Sequence, residues 1–202
     1  MLTPLLLETI KIKDGNIYNL IYHQKRCDMS RLHIFHSKEA LSLKDTIQAP
    51  PKGLWRCRIL YNKEIHSVEY IPYVEKNIHI LKIISSPINY AFKYANRDDL
   101  NMLLKLEKNV DEVIIEKKGY LRDTTISNIA FYDGEQWFTP THPLLKGTMR
   151  ERLLDQGFLQ TKEIQKENLS EYTQVALMNA MIGFKILKNI TISDTKGKHY
   201  DY

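Results

Sequence analysis

Residues 87–97 of the chain have the sequence Pro-Ile-Asn-Tyr-Ala-Phe-Lys-Tyr-Ala-Asn-Arg, in which Lys93 lies between small and aromatic neighbours. If this stretch is extended, successive side chains point to opposite faces. Tyr90, Phe92 and Tyr94 then share one face, while the lysine shares the other with two alanines. A lysine with such room around it can be desolvated, which lowers its pKa and makes its amine a nucleophile able to form a Schiff base. Because most lysines are solvated surface residues, this interpretation needs support from the rest of the sequence.

The composition is that of an ordinary globular protein, with 202 residues of which 43% are hydrophobic and 26% charged. A chain of this length can build a sizeable core as one domain or as two small ones. The apolar run at residues 5–7 is too short for a signal sequence or a membrane span, so we expect a cytoplasmic protein without a membrane partner. Cys27 and Cys57 lie in unrelated segments without metal-ligand spacing, which predicts free thiols and no metal.

The net charge of +5 and the pI near 9.0 favour an anionic partner, either a nucleic acid or a phosphorylated or carboxylated small molecule. Lysines alternate with glutamates in residues 105–108 and 162–166 and do not form one basic stripe. The pattern therefore favours a small-molecule substrate, and we do not expect a nucleic-acid partner.

Residues 1–84 are predicted to form a small α/β domain. Asp14-Gly15 separates two alternating segments, which is a hairpin signal, and the apolar spacing over residues 21–34 predicts a helix. Further strands are expected at residues 54–61, 65–73 and 78–84.

Residues 85–202 are predicted to form a larger domain, which follows a linker at Ser85-Ser86-Pro87. A helix is expected directly after the Lys93 segment, over residues 97–108. The other expected elements are strands at 112–116, 129–132, 136–139, 175–178 and 185–190, and helices at 148–156 and 169–173.

Together with Lys93, four segments resemble motifs of the class IV aminotransferases, the pyridoxal-phosphate enzymes of fold type IV. They are residues 22–26 (Tyr-His-Gln-Lys-Arg), 123–129 (Asp-Thr-Thr-Ile-Ser-Asn-Ile), 137–140 with 145–150 (Trp-Phe-Thr-Pro and Leu-Lys-Gly-Thr-Met-Arg), and 175–180 (Val-Ala-Leu-Met-Asn-Ala). They are similar to the family's His-x-x-Arg, Glu-x-small-x-x-Asn, Thr-Pro with Gly-x-x-Arg, and Asn-Ala elements. The resemblance implies a two-domain mixed α+β and α/β fold of the D-amino acid aminotransferase type. It also implies pyridoxal 5'-phosphate in the cleft between the domains, and a homodimer.

The resemblance assigns the cofactor phosphate to Arg26, Gly147, Thr148 and Met149. A phosphate dianion suits a planar bidentate donor and the backbone amides at a helix start, which agrees with this assignment. A glycine there lets the backbone approach closely. Taken singly, the arginine could form an ordinary salt bridge and the threonine could be a simple N-cap.

Lys93 is the implied attachment point of the cofactor and the catalytic base. Asp123 takes the place of the family's glutamate, which keeps the ring nitrogen protonated. The aspartate side chain is shorter than that of glutamate. The alternative interpretation is that Asp123 is an ordinary turn residue. The resemblance also implies cofactor-binding roles for Asn128, Asn179 and Ala180. For Asn128, a purely structural role is an equal alternative.

The substrate is expected to be a small amine that carries a carboxylate. No Gly-rich loop follows residues 54–61, where family members carry substrate contacts, so Thr9 and Arg58 are the candidates for binding the carboxylate. In the alternative reading, Arg56 and Arg58 form the wet face of a strand.

Two activities of the family stay open. The spacing of Lys93, Asn96 and Arg97, with Asn179-Ala180, is similar to that of the 4-amino-4-deoxychorismate lyases. These enzymes release pyruvate and form 4-aminobenzoate for folate synthesis. Branched-chain transaminases place the asparagine one position later, and an amino-acid transaminase of the branched-chain or D-amino acid type is the alternative. A non-catalytic basic binding protein is the third reading.

Overall fold

In the computed structural model, residues 3–202 are described, and they form two compact units. The first unit contains the described residues up to Glu75 together with Phe92–Asn96, and the second contains Lys76–Ala91 and Arg97–Tyr202. The domain boundary expected after residue 84 stays a prediction. Residues 76–84, just before that boundary, belong to the second compact unit, whereas Phe92–Asn96, which includes Lys93, belongs to the first.

The first unit is a four-stranded antiparallel sheet with one long helix. Its elements are β1 Leu6–Lys13, β2 Asn16–Ile17, α1 Leu20–Phe35, α2 Leu43–Thr46, β3 Leu54–Tyr61 and β4 Ile65–Pro72. The strand order is β2-β1-β3-β4. Asp14 and Gly15 both have positive φ, 48° and 78°, as a tight hairpin turn requires. The predicted hairpin, the helix and the β3–β4 pair are confirmed.

Strand β1 alternates between two environments, which fixes its register. Leu6, Ile10 and Ile12 on one face are fully buried in a core with Cys27 of α1. Each such aliphatic side chain contributes about 1.5–3 kcal/mol when buried. Glu8 lies on this same apolar face and is also fully buried, so its carboxylate needs a compensating partner.

The second unit is built on a mixed sheet. Its elements are β5 Ile80–Ser85, α3 Asp98–Lys105, β6 Glu112–Lys117, β7 Tyr120–Thr124, β8 Asn128–Tyr132, β9 Trp137–Pro140, α4 Thr148–Asp155, β10 Leu159–Lys162, a 3₁₀ helix Lys166–Glu171, β11 Gln174–Asn179, β12 Gly183–Ile186, β13 Thr191–Ser193 and β14 His199–Asp201. The order is β10-β9-β8-β7-β6-β5-β13-β14, with β11 pairing β8 and β12.

Most predicted elements of this unit are confirmed, within one to three residues at their ends. The strand expected at 185–190 is misplaced, because the chain pairs earlier, over Gly183–Ile186. The helix expected at 169–173 is a 3₁₀ helix that begins at Lys166. Four strands, β7, β10, β13 and β14, were not predicted, and the first of these carries Asp123.

Candidate active site

Lys93 is held against β1 by backbone hydrogen bonds. The amide of Leu7 donates to the carbonyl of Lys93 at 2.8 Å, and the amide of Ala95 donates to the carbonyl of Leu5 at 2.9 Å. Tyr94 forms an isolated antiparallel bridge with the same strand. The segment is therefore a short addition to β1, and that strand sets the backbone position of the lysine.

The expected common face of three aromatic side chains is wrong for Tyr90. Phe92 and Tyr94 pack edge to face, with centroids 6.2 Å apart, beside the core of the first unit. Tyr90 is buried in the second unit, where the guanidinium of Arg97 lies 5.8 Å from its ring centre. The chain passes from one unit to the other after Ala91, so the alternation does not continue across that point.

A buried carboxylate on β1 joins two side chains of α1. Glu8 Oε1 accepts from Arg26 Nε at 2.9 Å, and Glu8 Oε2 accepts from Arg26 Nη2 at 2.6 Å. The same Oε2 contacts His23 Nδ1 at 2.5 Å. His23 and Arg26 are three residues apart and therefore lie on one face of the helix. Glu8 and His23 are fully buried, whereas the Arg26 side chain is 13% exposed.

The charges in this network are defined by their surroundings. Burial by itself raises the pKa of Glu8, but the Arg26 charge and the bond from His23 outweigh it and bring the pKa to about 2. Burial lowers the pKa of His23 and outweighs its bond to Glu8, and the charge of Lys93 adds to the lowering. Glu8 is thus an ionised acceptor at neutral pH, and a neutral His23 donates its Nδ1 proton to it.

The structure thus gives Arg26 a buried protein partner, Glu8. From the sequence, the only alternative to phosphate binding was an ordinary salt bridge with an unspecified residue. The sequence did contain a signal for Glu8, because it is the one charged residue on the face of β1 that carries Leu6, Ile10 and Ile12. A charge among buried apolar positions calls for a buried partner. The role of Arg26 toward a phosphate stays a prediction.

In the second unit, Asp123 and Asn128 hold the loop that precedes α4. Asp123 Oδ1 accepts from Asn128 Nδ2 at 2.7 Å, and Asp123 Oδ2 accepts from the amide of Leu145 at 2.9 Å. Asn128 Nδ2 also donates to the carbonyl of Leu145 at 2.9 Å. The two residues face each other as the register pair of β7 and β8.

Asp123 is an ordered, deeply buried acid. Burial raises its pKa to about 6, although the bonds from the Leu145 amide and from Asn128 act in the opposite direction, as does the charge of Arg150. A carboxylate in this state gains from a nearby cation or from a charged N–H donor. The role of Asp123 toward a ring nitrogen stays a prediction.

Gly147 is required by the side chain of Asn128. A Cβ built on Gly147 would lie 2.0 Å from Asn128 Oδ1, well inside van der Waals contact. Its backbone angles, φ −72° and ψ 142°, are ones that any residue adopts. The Asn128 side chain is therefore a steric reason for glycine at this position. The close approach of a phosphate, predicted from the sequence, is a second and separate reason.

We expect Gly147→Ala to lower the free energy of unfolding of the apoprotein by about 1–3 kcal/mol, the usual cost of overpacking. Denaturant unfolding measures this cost. In an Asn128→Ala background, the same substitution should cost much less, because the clashing atom is gone. Gly119→Ala is the control, since it meets no atom within 4 Å but has φ +85° and so reports backbone strain alone. An unchanged cost in the Asn128→Ala background would contradict the steric explanation.

The N-terminus of α4 presents backbone amides close to this loop. The N-cap is Gly147, which has no side chain with which to cap the helix. The amides of Thr148 and Met149 belong to the first turn, which has no acceptor within the helix. Arg150 is buried and donates through Nη2 to the carbonyl of Pro140 at 3.0 Å, and its Nε has no hydrogen-bond partner. This helix start has the features of an anion site.

Asn179 organises the turn after β11. Its Oδ1 accepts from the amides of Met181 and Ile182 at 2.9 and 3.0 Å, and its Nδ2 donates to Ser127 Oγ at 2.9 Å. Ala180 lies in the same turn. These bonds account for Asn179 structurally and link it to the turn that joins β7 and β8. Cofactor binding by Asn179 and Ala180 stays a prediction.

The two substrate candidates are register partners on β1 and β3, because Thr9 lies opposite Arg58. Arg58 is already paired with Glu69 on β4, with its Nη1 3.0 Å from Glu69 Oε2. Two further basic residues, Lys11 and Arg56, were not predicted as substrate residues and lie opposite each other two positions further along the same strands. Arg56 Nε is buried without a hydrogen-bond partner. Like charges on directly opposed residues are unfavourable, which makes this pair a candidate anion site.

The structure thus brings the site residues together in two groups. Arg26 and Lys93 lie in the first unit with Glu8 and His23, and the second group is Asp123, Asn128, Gly147, Thr148, Met149, Asn179 and Ala180. Across residues 3–202, no cluster of three His, Cys, Asp or Glu side chains could hold a metal ion. In the same part of the chain, no helix is long and apolar enough to cross a membrane.

A model of the amino-transferase class IV family matches residues 5–190. The chain therefore belongs to the class IV aminotransferases, a family of pyridoxal-phosphate-dependent enzymes. The predicted family, its fold and the prediction of an enzyme are confirmed.

Two curated proteins are similar in sequence. An uncharacterized protein of Haemophilus influenzae is 36% identical over 185 residues, which cover 88% of this chain and 98% of the relative. A Schizosaccharomyces pombe protein provisionally named aminodeoxychorismate lyase is 32% identical over 123 residues, 58% of this chain and 50% of the relative.

Solved structures agree with this assignment. A Haemophilus somnus 129PT protein, provisionally named 4-amino-4-deoxychorismate lyase, is 36% identical with a TM-score of 0.82, and the match covers 91% of this chain and 99% of that one. A hypothetical aminotransferase from Mycobacterium tuberculosis in its pyridoxal-phosphate-bound form has a TM-score of 0.75 at 14% identity, covering 93% of this chain and 81% of that one. The second likeness concerns the fold alone.

Proposed function

We propose that this protein is a pyridoxal-phosphate-dependent 4-amino-4-deoxychorismate lyase, which releases pyruvate and forms 4-aminobenzoate for folate synthesis. The observation that carries the proposal is the 36% identity to the Haemophilus somnus protein over 91% of this chain and 99% of that one. The spacing of Lys93, Asn96 and Arg97 supports a lyase over a transaminase. A cytoplasmic location and a homodimer are parts of the same proposal.

The described residues fit the cofactor. The start of α4, with Gly147 as its N-cap, suits the phosphate, which Arg26 and the amides of Thr148 and Met149 would bind. Asp123 is a buried acid whose raised pKa would fall beside a charged ring N–H, so it would hold a proton on the ring nitrogen. When bound, the cofactor accepts the electron pair left when a proton leaves the substrate carbon.

The chain's own groups would supply attachment, proton transfer and orientation. The amine of Lys93 would bind the cofactor aldehyde and, once a substrate amine has replaced it, take the proton from the adjacent carbon. Asn128 would keep the Asp123 carboxylate in place through the 2.7 Å bond. Asn179 would support the same turn through Ser127.

We propose that a substrate carboxylate binds at the cationic face of the first-unit sheet. Thr9 and Arg58 were the candidates, and Lys11 and Arg56 add a second opposed pair two positions further along the same strands. Because Glu69 already neutralises Arg58, we assign the larger share of carboxylate binding to Arg56, whose Nε is buried and has no hydrogen-bond partner.

The reaction can be identified by its requirement for an acceptor. We expect the purified protein with pyridoxal phosphate and 4-amino-4-deoxychorismate alone to release 4-aminobenzoate and pyruvate over many turnovers, because elimination needs no keto acid. A transaminase would stop after one half-reaction until an acceptor such as 2-oxoglutarate is added. The assay follows both products, and then follows L- and D-amino acids with and without acceptor. Acceptor-dependent turnover of an amino acid without 4-aminobenzoate release would replace the lyase with the transaminase.

A further inference from the structure

Glu8 is a buried acid whose presence is not explained by stability. Its surroundings on β1 are Leu6 and Ile10, with Ile59 opposite on β3. A buried ion pair is a weak source of stability, since apolar residues of similar volume often do as well or better. The contacts of Glu8 are therefore better explained by what they hold in place.

Those contacts fix the plane of one guanidinium. Two nitrogen atoms of Arg26 meet the two oxygens of Glu8 at 2.9 and 2.6 Å, so the arginine cannot rotate without breaking both bonds. The carboxylate is fully buried, whereas the arginine is 13% exposed. The acid thus holds the guanidinium from its buried side.

His23 fixes the carboxylate in turn. Its Nδ1 lies 2.5 Å from Glu8 Oε2, the oxygen that also accepts from Arg26 Nη2. Glu8 is therefore held at three points by two residues of one helix face. An arginine ordered in advance loses less side-chain entropy when it binds an anion.

We propose that Glu8 is a positioning residue for the cofactor phosphate, and that it acts on the phosphate only through Arg26. The proposal rests on the proposed function, because the anion is the phosphate of pyridoxal phosphate. Two effects of Glu8 oppose each other, since it orders the guanidinium but also repels a dianion. We expect ordering to win, because the positive charge of Arg26 lies directly against the carboxylate and offsets much of its repulsion of the phosphate.

The experiment compares pyridoxal phosphate with pyridoxal, which has the same ring and aldehyde but no phosphate. Dissociation constants are measured by absorption and fluorescence for the wild type, Glu8→Gln, Arg26→Gln and the double variant. We expect Glu8→Gln to weaken pyridoxal-phosphate binding about three- to tenfold, the effect of ordering one flexible side chain, and to leave pyridoxal binding unchanged. In the Arg26→Gln background, Glu8→Gln should have no further effect on either ligand. Glu64→Gln is the control, an exposed carboxylate between β3 and β4, and it should leave both dissociation constants unchanged.

Equal losses for both ligands would mean that Glu8 only supports the fold, and tighter binding of pyridoxal phosphate would mean that its repulsion dominates. Either result overturns the inference and leaves the proposed function standing. If Glu8→Gln does not fold, Arg26→Lys tests the same point, because lysine keeps the charge but cannot form the two-point fork. If the Arg26→Lys variant prefers pyridoxal phosphate over pyridoxal as strongly as the wild type does, the inference is also overturned. A wild type that binds no pyridoxal phosphate would end the proposed function and this inference together.

Discussion

Replacing Lys93 with alanine is expected to abolish covalent attachment of pyridoxal phosphate and to lower kcat by about 10⁴-fold, the upper range for loss of a general base. This amine would serve both attachment and proton transfer, so one substitution removes two functions. The backbone bonds from Leu7 and Ala95 involve no side-chain atom of residue 93, so the fold of the first unit should survive. Absorption spectra with added pyridoxal phosphate and a steady-state assay measure both effects.

The control is Lys25→Ala, an exposed lysine next to Arg26, which should keep the wild-type spectrum and rate. Borohydride reduction of the wild-type protein followed by peptide mapping should place the pyridoxyl group on Lys93. A small primary amine such as methylamine should restore part of the activity of the alanine variant, because it replaces the missing group. Pyridoxyl labelling of another lysine as the main product would remove Lys93 from the proposed site.

Local signals in the sequence were sufficient for most of the fold. The Asp14-Gly15 turn and the alternation on both sides of it predicted the first hairpin, because turn geometry and side-chain period are both local properties. Strands β10, β13 and β14 have four, three and three residues, too few for a period of two to become visible. Strand β13 also pairs in parallel with β5, a partner more than a hundred positions away, which no local pattern shows.

The candidate site was predictable residue by residue but not contact by contact. Motif spacing indicated Arg26 and Asp123 as candidates, whereas the partners that the structure gives them lie far away in sequence. Glu8 reaches Arg26 across 18 positions, and Leu145 reaches Asp123 across 22. Such contacts arise only after strands and helices have packed. Gly147 illustrates the same limit, because its steric reason is the side chain of Asn128.

Asp123→Asn is expected to slow turnover by about 10²–10³-fold, the range for losing one electrostatic contact in an active site. A neutral amide cannot stabilise a proton on the ring nitrogen as a carboxylate does. Cofactor affinity should change much less, because the proposed phosphate and lysine contacts remain. Steady-state rates and pyridoxal-phosphate titration of the variant measure the two effects. Asp133→Asn is the control, an exposed aspartate in the turn between β8 and β9 that accepts from the amides of Glu135 and Gln136.

The same substitution should change how the stability of the apoprotein depends on pH. Burial raises the folded-state pKa of Asp123 from 3.8 to about 6. Between these values the folded state binds more protons than the unfolded state, so this residue's contribution to stability falls as pH rises and is constant above about 6. The wild type should therefore lose roughly 1–3 kcal/mol relative to Asp123→Asn between about pH 4 and pH 6. Denaturant unfolding of both proteins at each pH isolates the contribution, because every other titrating group is shared. If the difference in unfolding free energy between the two proteins stays constant across that range, Asp123 titrates normally. In the turnover assay, a wild-type rate in Asp123→Asn would assign the ring proton to another group.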